Sequence, residues 1–237
     1  MQLPKNPLVL VALAASLSSS IFVSTGCIIV DGKPYGIGWD GDDDVHGSGH
    51  RVDEERAVID FSAVHLQLPA DVVVVVGEPT SVKLTGDDNL LELVETEVRN
   101  GQLFIKRPRG KNLRFRKGLD IRIGTPDLSR FEVEGSGDVE IRDLASDNFH
   151  VSIEGSGDVI ASGTTDYLEA RIEGSGAMKL QELAAQEASV SISGSGDMRI
   201  KVAGSLRYKI SGSGDILYDG SPHVSGGISG SGSVRGR

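Results

Sequence analysis

The chain has 237 residues, enough for one domain plus an export segment, and carries a formal net charge of −10. That charge argues against general nucleic-acid affinity, which needs a basic face. The 31 glycines and 5% aromatic content favour many turns and short strands, and the one cysteine, Cys27, leaves no disulfide framework.

Residues 1–26 read as a lipoprotein signal peptide. Lys5 gives a short positive start, an apolar stretch runs from Leu8 to Leu17 and on through Ile21–Val23, and small residues follow. The run Ser24-Thr25-Gly26-Cys27 resembles a bacterial lipobox. The resemblance implies lipid attachment at Cys27, a membrane contact made through that N-terminal lipid, and a place in the cell envelope, lipid-anchored at the outer membrane. It does not specify which membrane face.

Residues 27–56 read as an acidic, Gly/Asp-rich tether. Nine acids stand against three bases over residues 31–60, and no apolar period runs through the stretch. Trp39 is an isolated aromatic there. Asp40, Asp42, Asp43, Asp44, His46 and His50 would be the ligands of any cation, although a solvated spacer accounts for them as well. Gly47-Ser48-Gly49 beside the two histidines belongs to the same linker.

Residues 57–125 predict an irregular β-rich first part of the domain. Val72–Val76 and Ser81–Thr85 read as strands, Asp87–Leu91 as a helical turn, and Val94, Thr96 and Val98 as an alternating strand. Asn100-Gly101 predicts a type I′ hairpin returning through Leu103–Ile105. The stretch 99–117 then holds eight bases and no acid. Within it Arg107, Arg109, Lys111, Arg114, Arg116 and Lys117 form a candidate anion site for an acidic glycan, lipopolysaccharide phosphate or a lipid headgroup. A solvated loop is the plainer alternative.

Residues 126–237 carry the repeat that decides the fold. Gly-Ser-Gly recurs at 135, 155, 174, 194, 212 and 230, a spacing of 18–20 residues. Two residues before each motif stand Val133, Ile153, Ile172, Ile192, Ile210 and Ile228. Four after its first glycine stand Val139, Val159, Met178, Met198, Ile216 and Val234. These offsets are even, so strand alternation passes through the motif with both glycines inward and the serine outward. Each motif is then a tight bend where a side chain would strike a wall. One rung cannot bury a core alone, but stacked rungs can. The fold class is all-β: a parallel β-solenoid, or β-helix, with 18–20-residue rungs. Its strand edges allow a homo-oligomer through an end or a face.

Several features together resemble the head GIN domain family of autotransporter-type adhesins. They are Ile59-Asp60-Phe61, Val72–Val76, Gly86–Leu91, Val94–Val98 before Asn100-Gly101, and the Gly-Ser-Gly-Asp repeats. The resemblance covers residues 57–237 and implies a β-solenoid-like envelope protein with no catalytic residue to carry over.

The remaining chemistry is sparse. Asp138, Asp158, Asp197 and Asp215 follow the motif as a column that Ala177 and Ser233 break, and Glu134, Glu154 and Glu173 precede it. Aspartates that accept turn N–H groups explain the column, and weak divalent-cation binding is the alternative. His65, His150 and His223 are isolated, and no Gly-x-Ser-x-Gly lies on a strand-to-helix turn with a histidine partner. The expectation is a non-catalytic, envelope-anchored adhesin or binding scaffold. It needs no cofactor or metal, and its partners would be an acidic glycan, lipopolysaccharide or a surface protein. A polysaccharide-degrading solenoid enzyme is the alternative.

Overall fold

The computed structural model describes residues 27–30, 33–36 and 43–237. The chain divides into two compact units, Met1–Gly41 and Asp42–Arg237. In the first, β1 (Cys27–Val30) and β2 (Lys33–Gly36) pair antiparallel. The expected signal peptide, and Trp39, Asp40 and Asp42 of the tether, lie outside the described residues.

The second unit holds the irregular part and the repeat, mostly in one 15-stranded sheet. Its early strands are β3 (Asp43–His46), β4 (Arg51–Arg56), β5 (Ala63–Gln67), β6 (Asp71–Val76) and β7 (Ser81–Asp87). A single helical turn, α1 (Asp88–Leu91), follows. Then come β8 (Glu95–Arg99), β9 (Gln102–Lys106), β10 (Lys111–Arg114) and β11 (Asp120–Thr125). The hairpin β8–β9 turns at Asn100 and Gly101, whose φ values of 52° and 75° are the two positive angles a type I′ turn requires.

The repeat begins at β12 (Arg130–Gly135). The long bent strands β13 (Val139–Gly155), β14 (Asp158–Gly174), β15 (Ala177–Gly194) and β16 (Asp197–Gly212) follow it. The last rung consists of β17 (Ile216–Asp219), β18 (His223–Gly230) and β19 (Val234–Gly236). Successive rungs pair parallel and in register, as in Gly155↔Gly174↔Gly194↔Gly212↔Gly230. This is the parallel solenoid that the even offsets predict.

Each rung supplies two outward surfaces. Face A is the leg after Gly-Ser-Gly and runs β4-β7-β11-β6-β13-β14-β15-β16-β17-β19. Face B is the leg before it and runs β8-β9-β5-β12-β13-β14-β15-β16-β18. The irregular strands thus extend both faces of the tube, adding antiparallel pairs at β4–β7–β11 and β8–β9. Inside lie ladders of buried residues such as Val72, Val139, Val159, Met178, Met198 and Ile216.

The glycine bends differ from the expectation in what blocks a side chain. A Cβ at Gly174 would stand 2.2 Å from the carbonyl oxygen of Gly155, and one at Gly176 would stand 2.2 Å from that of Gly157. The obstacle is the equivalent glycine of the preceding rung, not the opposite wall. Gly174 also has a φ of 130°, which side-chain-bearing residues rarely adopt. The same contact that excludes a side chain admits a hydrogen bond. From the second motif on, each serine donates its backbone N–H to the first glycine of the preceding motif, as in Ser175 to Gly155 and Ser195 to Gly174, both at 2.9 Å.

The tether expected over residues 27–56 ends before residue 43. β3 pairs parallel with β10, and β4 pairs antiparallel with β7. The Gly47-Ser48-Gly49 stretch between them is fastened by a buried carboxylate. Asp87 accepts the Gly49 N–H at 2.7 Å through one oxygen and the Arg116 N–H at 2.8 Å through the other. The physical reason is pairing across the sequence. Acidic and basic strands that look solvated one at a time neutralise each other once they are adjacent.

Candidate binding surfaces

The basic stretch stays largely at the surface, and part of it is drawn into contacts with neighbouring strands. β10 lies against β3, where Arg114 pairs with Asp44 at 3.3 Å and Asn112 donates to the same oxygen at 2.7 Å. These two contacts, the amide first, hold the Asp44 carboxyl below the usual range. Arg116 donates from Nε to the Gly47 carbonyl at 3.0 Å, and Arg107 donates to the Lys111 carbonyl at 3.2 Å. Arg109 and Lys117 are exposed, and Lys111 is half-buried. Phe115 packs against the core beside Gly86, so it is a structural residue. Of the six expected anion ligands, the fold therefore engages Arg107, Arg114 and Arg116 in local contacts.

The aspartate column has a structural task. Asp138, Asp158, Asp197 and Asp215 each accept, through Oδ1, the N–H of the residue at the same place in the next rung. The distances are 3.2 Å to Asp158, 3.0 Å to Ala177, 3.0 Å to Asp215 and 2.7 Å to Ser233. Asp71 of β6 extends the column backward by accepting from Asp138 at 3.4 Å. The carboxylates thus cap the start of every following leg, which is a turn-type N–H bond made between rungs. At Ala177 the column is interrupted because a methyl group cannot accept.

Neither the histidines nor Ser48 assemble a proton relay. Ser48 donates to Asp88 at 2.5 Å and His50 meets the other oxygen of Asp88 at 3.3 Å, so the carboxylate sits between hydroxyl and imidazole. A serine nucleophile needs the imidazole in that middle place. His65 is wedged between Glu132 (3.8 Å) and Glu134 (2.7 Å) and tilts over Phe104. His150 pairs with Glu169 at 3.3 Å, and His223 is exposed. Among the described residues, no group of three or more His, Cys, Asp or Glu side chains is placed to hold a metal ion.

A concavity lies on face A where the irregular strands meet the repeat. It is a cleft of about 430 Å³ whose floor crosses β11, β6, β13 and β14. Register places Arg122, Val73, Glu140, Ile160 and Lys179 in one row across it. Ile160 is 42% exposed, which is high for its size in this chain. Beside this row runs the aspartate column, where Lys179 reaches Asp158 at 2.9 Å. The cleft therefore offers two apolar side chains, Val73 and Ile160, on either side of Glu140, a carboxylate wall and a cation at either end. Sequence reasoning missed it because half of its lining comes from β6, β7 and β11, whose pairing with the repeat no local pattern announces.

Known structures share this architecture. A putative adhesin from Bacteroides fragilis superposes with a TM-score of 0.66 at 22% identity, covering 81% of this chain and all of the other. A putative lipid binding protein and a putative adhesin, both from Parabacteroides distasonis, each give 0.52, at 24% and 20% identity. Both cover 82% of this chain, and 99% and 100% of their own. At such identities the likeness speaks for the fold. No curated protein matches the sequence. The family described as "Putative auto-transporter adhesin, head GIN domain" matches residues 60–222, which span the irregular strands from β5 onward and five of the six Gly-Ser-Gly motifs. With well over half of its length matched, and with the bends, hairpin and columns in place, the chain belongs to the head GIN domain family.

Proposed function

We propose that this protein is a non-catalytic binding module of the cell envelope, an adhesin or scaffold anchored by lipid on Cys27 after removal of residues 1–26. The observation that carries the reading is the face A cleft. It is a concavity on a strand ladder, with Val73 and Ile160 flanking Glu140 and cations at its ends, and it suits an extended ligand held by several weak contacts. Of the carboxylates that line the cleft, Asp71, Asp138 and Asp158 accept inter-rung N–H groups, Asp120 pairs with Arg51 and Glu140 pairs with Arg142, so each already has a partner within the fold.

The test has two arms. Intact cells are treated with protease to establish surface exposure, and the purified domain is screened against glycan, lipid and matrix-protein panels. A surface-exposed protein whose binding is lost in Ile160→Asp and Arg122→Glu supports the reading. Release of reducing ends from any polysaccharide overturns its non-catalytic part. Cys27→Ser should move the protein from the membrane fraction to the soluble one without changing its melting temperature. A mutant that survives a salt wash in the membrane fraction removes the lipid assignment.

A further inference from the structure

Face B changes character along the tube. In its first rungs every arginine and lysine has a carboxylate of its own. Arg99 pairs with Glu97, Lys106 with Glu95 at 3.4 Å, Arg130 with Glu132 at 3.2 Å, and Arg171 with Glu173. After Glu173 the rows that continue these positions carry no further acid. Ser189, Ser191 and Ser193 follow on β15, then Arg207, Lys209 and Ser211 on β16, then Ser225, Gly227 and Ser229 on β18. Among the described residues, neither Arg207 nor Lys209 has a carboxylate within ion-pair distance, and both are exposed. The nearest acid by register, Glu187, stands one row farther out, level with Ser205.

Two depressions meet at Lys209. One, of about 230 Å³, lies between Arg171, Ser191, Ser193, Lys209 and Ser211. The other, of about 710 Å³, includes Arg207, Lys209, Ser189, Ser225 and Gly227. Short side chains on both flanking strands leave the two long cations standing above a floor of hydroxyls. Arg207 and Lys209 are two residues apart on one strand, so their stems rise from the same face about 7 Å apart.

We infer that these rungs form a binding site for an acidic polysaccharide, one bearing carboxylate or sulfate groups. The cations take the charged groups, and the serine hydroxyls on the strands either side exchange hydrogen bonds with the sugar hydroxyls. Two exposed cations that share a face with hydroxyls and have no carboxylate partner are open to an external anion. Tyr208 lines the larger depression but is half-buried against the core, and the outward positions of the three strands carry no aromatic, so the site lacks the exposed stacking platform that single-stranded nucleic acid uses. The site is on the opposite face from the cleft and stands or falls separately from it.

Gly227 supplies the decisive variant. It lies level with Lys209, and a Cβ there would meet nothing within 4 Å, so a side chain can be added without disturbing the fold. Gly227→Glu places a carboxylate beside Lys209, and Gly227→Ala is its control. The full-length protein, these two variants and Arg207→Ala/Lys209→Ala are titrated with polygalacturonate, dextran sulfate, neutral dextran, phosphatidylglycerol vesicles and an oligodeoxynucleotide. The expected result is salt-sensitive binding to polygalacturonate or dextran sulfate but not to dextran. Affinity should be weakened roughly tenfold or more in the double variant and in Gly227→Glu, and unchanged in Gly227→Ala. Unaltered melting curves will show that all variants are folded. Binding to neither acidic glycan, equal binding by the double variant, or binding to vesicles or DNA alone would overturn the assignment.

Discussion

In residues 57–125 the chain turns its corners with individual side chains, whereas in residues 126–237 it turns them with backbone. The first part relies on Asp87, whose two oxygens tie residue 49 to residue 116, and on a type I′ turn at Asn100-Gly101. The second part repeats one device. A glycine carbonyl receives the serine N–H of the next rung and leaves no room for a Cβ. The lesson is that a repeated fold spreads its constraint evenly over identical backbone contacts, while an irregular one concentrates it in a few replaceable atoms.

The most forceful way to break the second device is Gly174→Val. The added carbon meets the Gly155 carbonyl at 2.2 Å and the backbone must hold a φ of 130°, so overpacking and strain act together. The expected loss is about 3 kcal/mol or more in a denaturant melt. Ser175→Ala, one residue away, removes only an exposed hydroxyl and should stay within about 0.5 kcal/mol. Equal effects from the two substitutions would show that the bends are not constrained by their neighbours.

For the first device the corresponding change is Asp87→Ala. It leaves two N–H groups without their acceptor and should cost about 2 kcal/mol. The damage should be local. Hydrogen exchange should quicken over residues 43–50 and 111–116 while the repeat keeps its protection. If exchange quickens throughout the repeat as well, the two parts fold as one cooperative unit and the comparison loses its meaning.

The smallest effect concerns the aspartate column. Ser233 donates to Asp215 from its hydroxyl and from its backbone N–H, and these bonds hold the Asp215 carboxyl below the ordinary range. A carboxyl depressed in the folded state stabilises above its unfolded value, near 3.9, and that contribution fades as pH falls through the folded value. Protection of the Ser233 amide should therefore decline below about pH 4 in the wild type. In Asp215→Asn it should be insensitive to pH over the same interval.

Much of the tube was legible because its code is one-dimensional. Even offsets around Gly-Ser-Gly fix which side chains point inward, and near-equal spacing fixes parallel stacking, so Ile153, Ile172 and Ile192 identify themselves as a ladder. The hairpin and the helical turn at Asp88–Leu91 follow equally from local residues. What escaped depends on distant partners. Asp44 reads as linker until Arg114, 70 positions away, is beside it. Of the six bases of the candidate anion site, Arg114 and Arg116 meet partners 70 and 69 positions away, which no local pattern announces. Arg207 and Lys209 drew no notice for the converse reason. Two cations in a serine-rich repeat mean little until register shows that every comparable cation on that face is paired and these are not.

The spacing of the motifs varies between 18 and 20 residues, yet the glycines remain in register from rung to rung. The surplus residues are absorbed elsewhere, at the shifts between Ile141 and Leu144, between Ile160 and Ser162, and between Leu180 and Ala184. All of these lie along the one edge of the tube that follows face A. That edge is a seam where the chain lengthens or shortens while the motif glycines keep their register. Insertions arising during the divergence of such repeats would accumulate there, and it is where a foreign loop could be grafted while both faces keep their spacing.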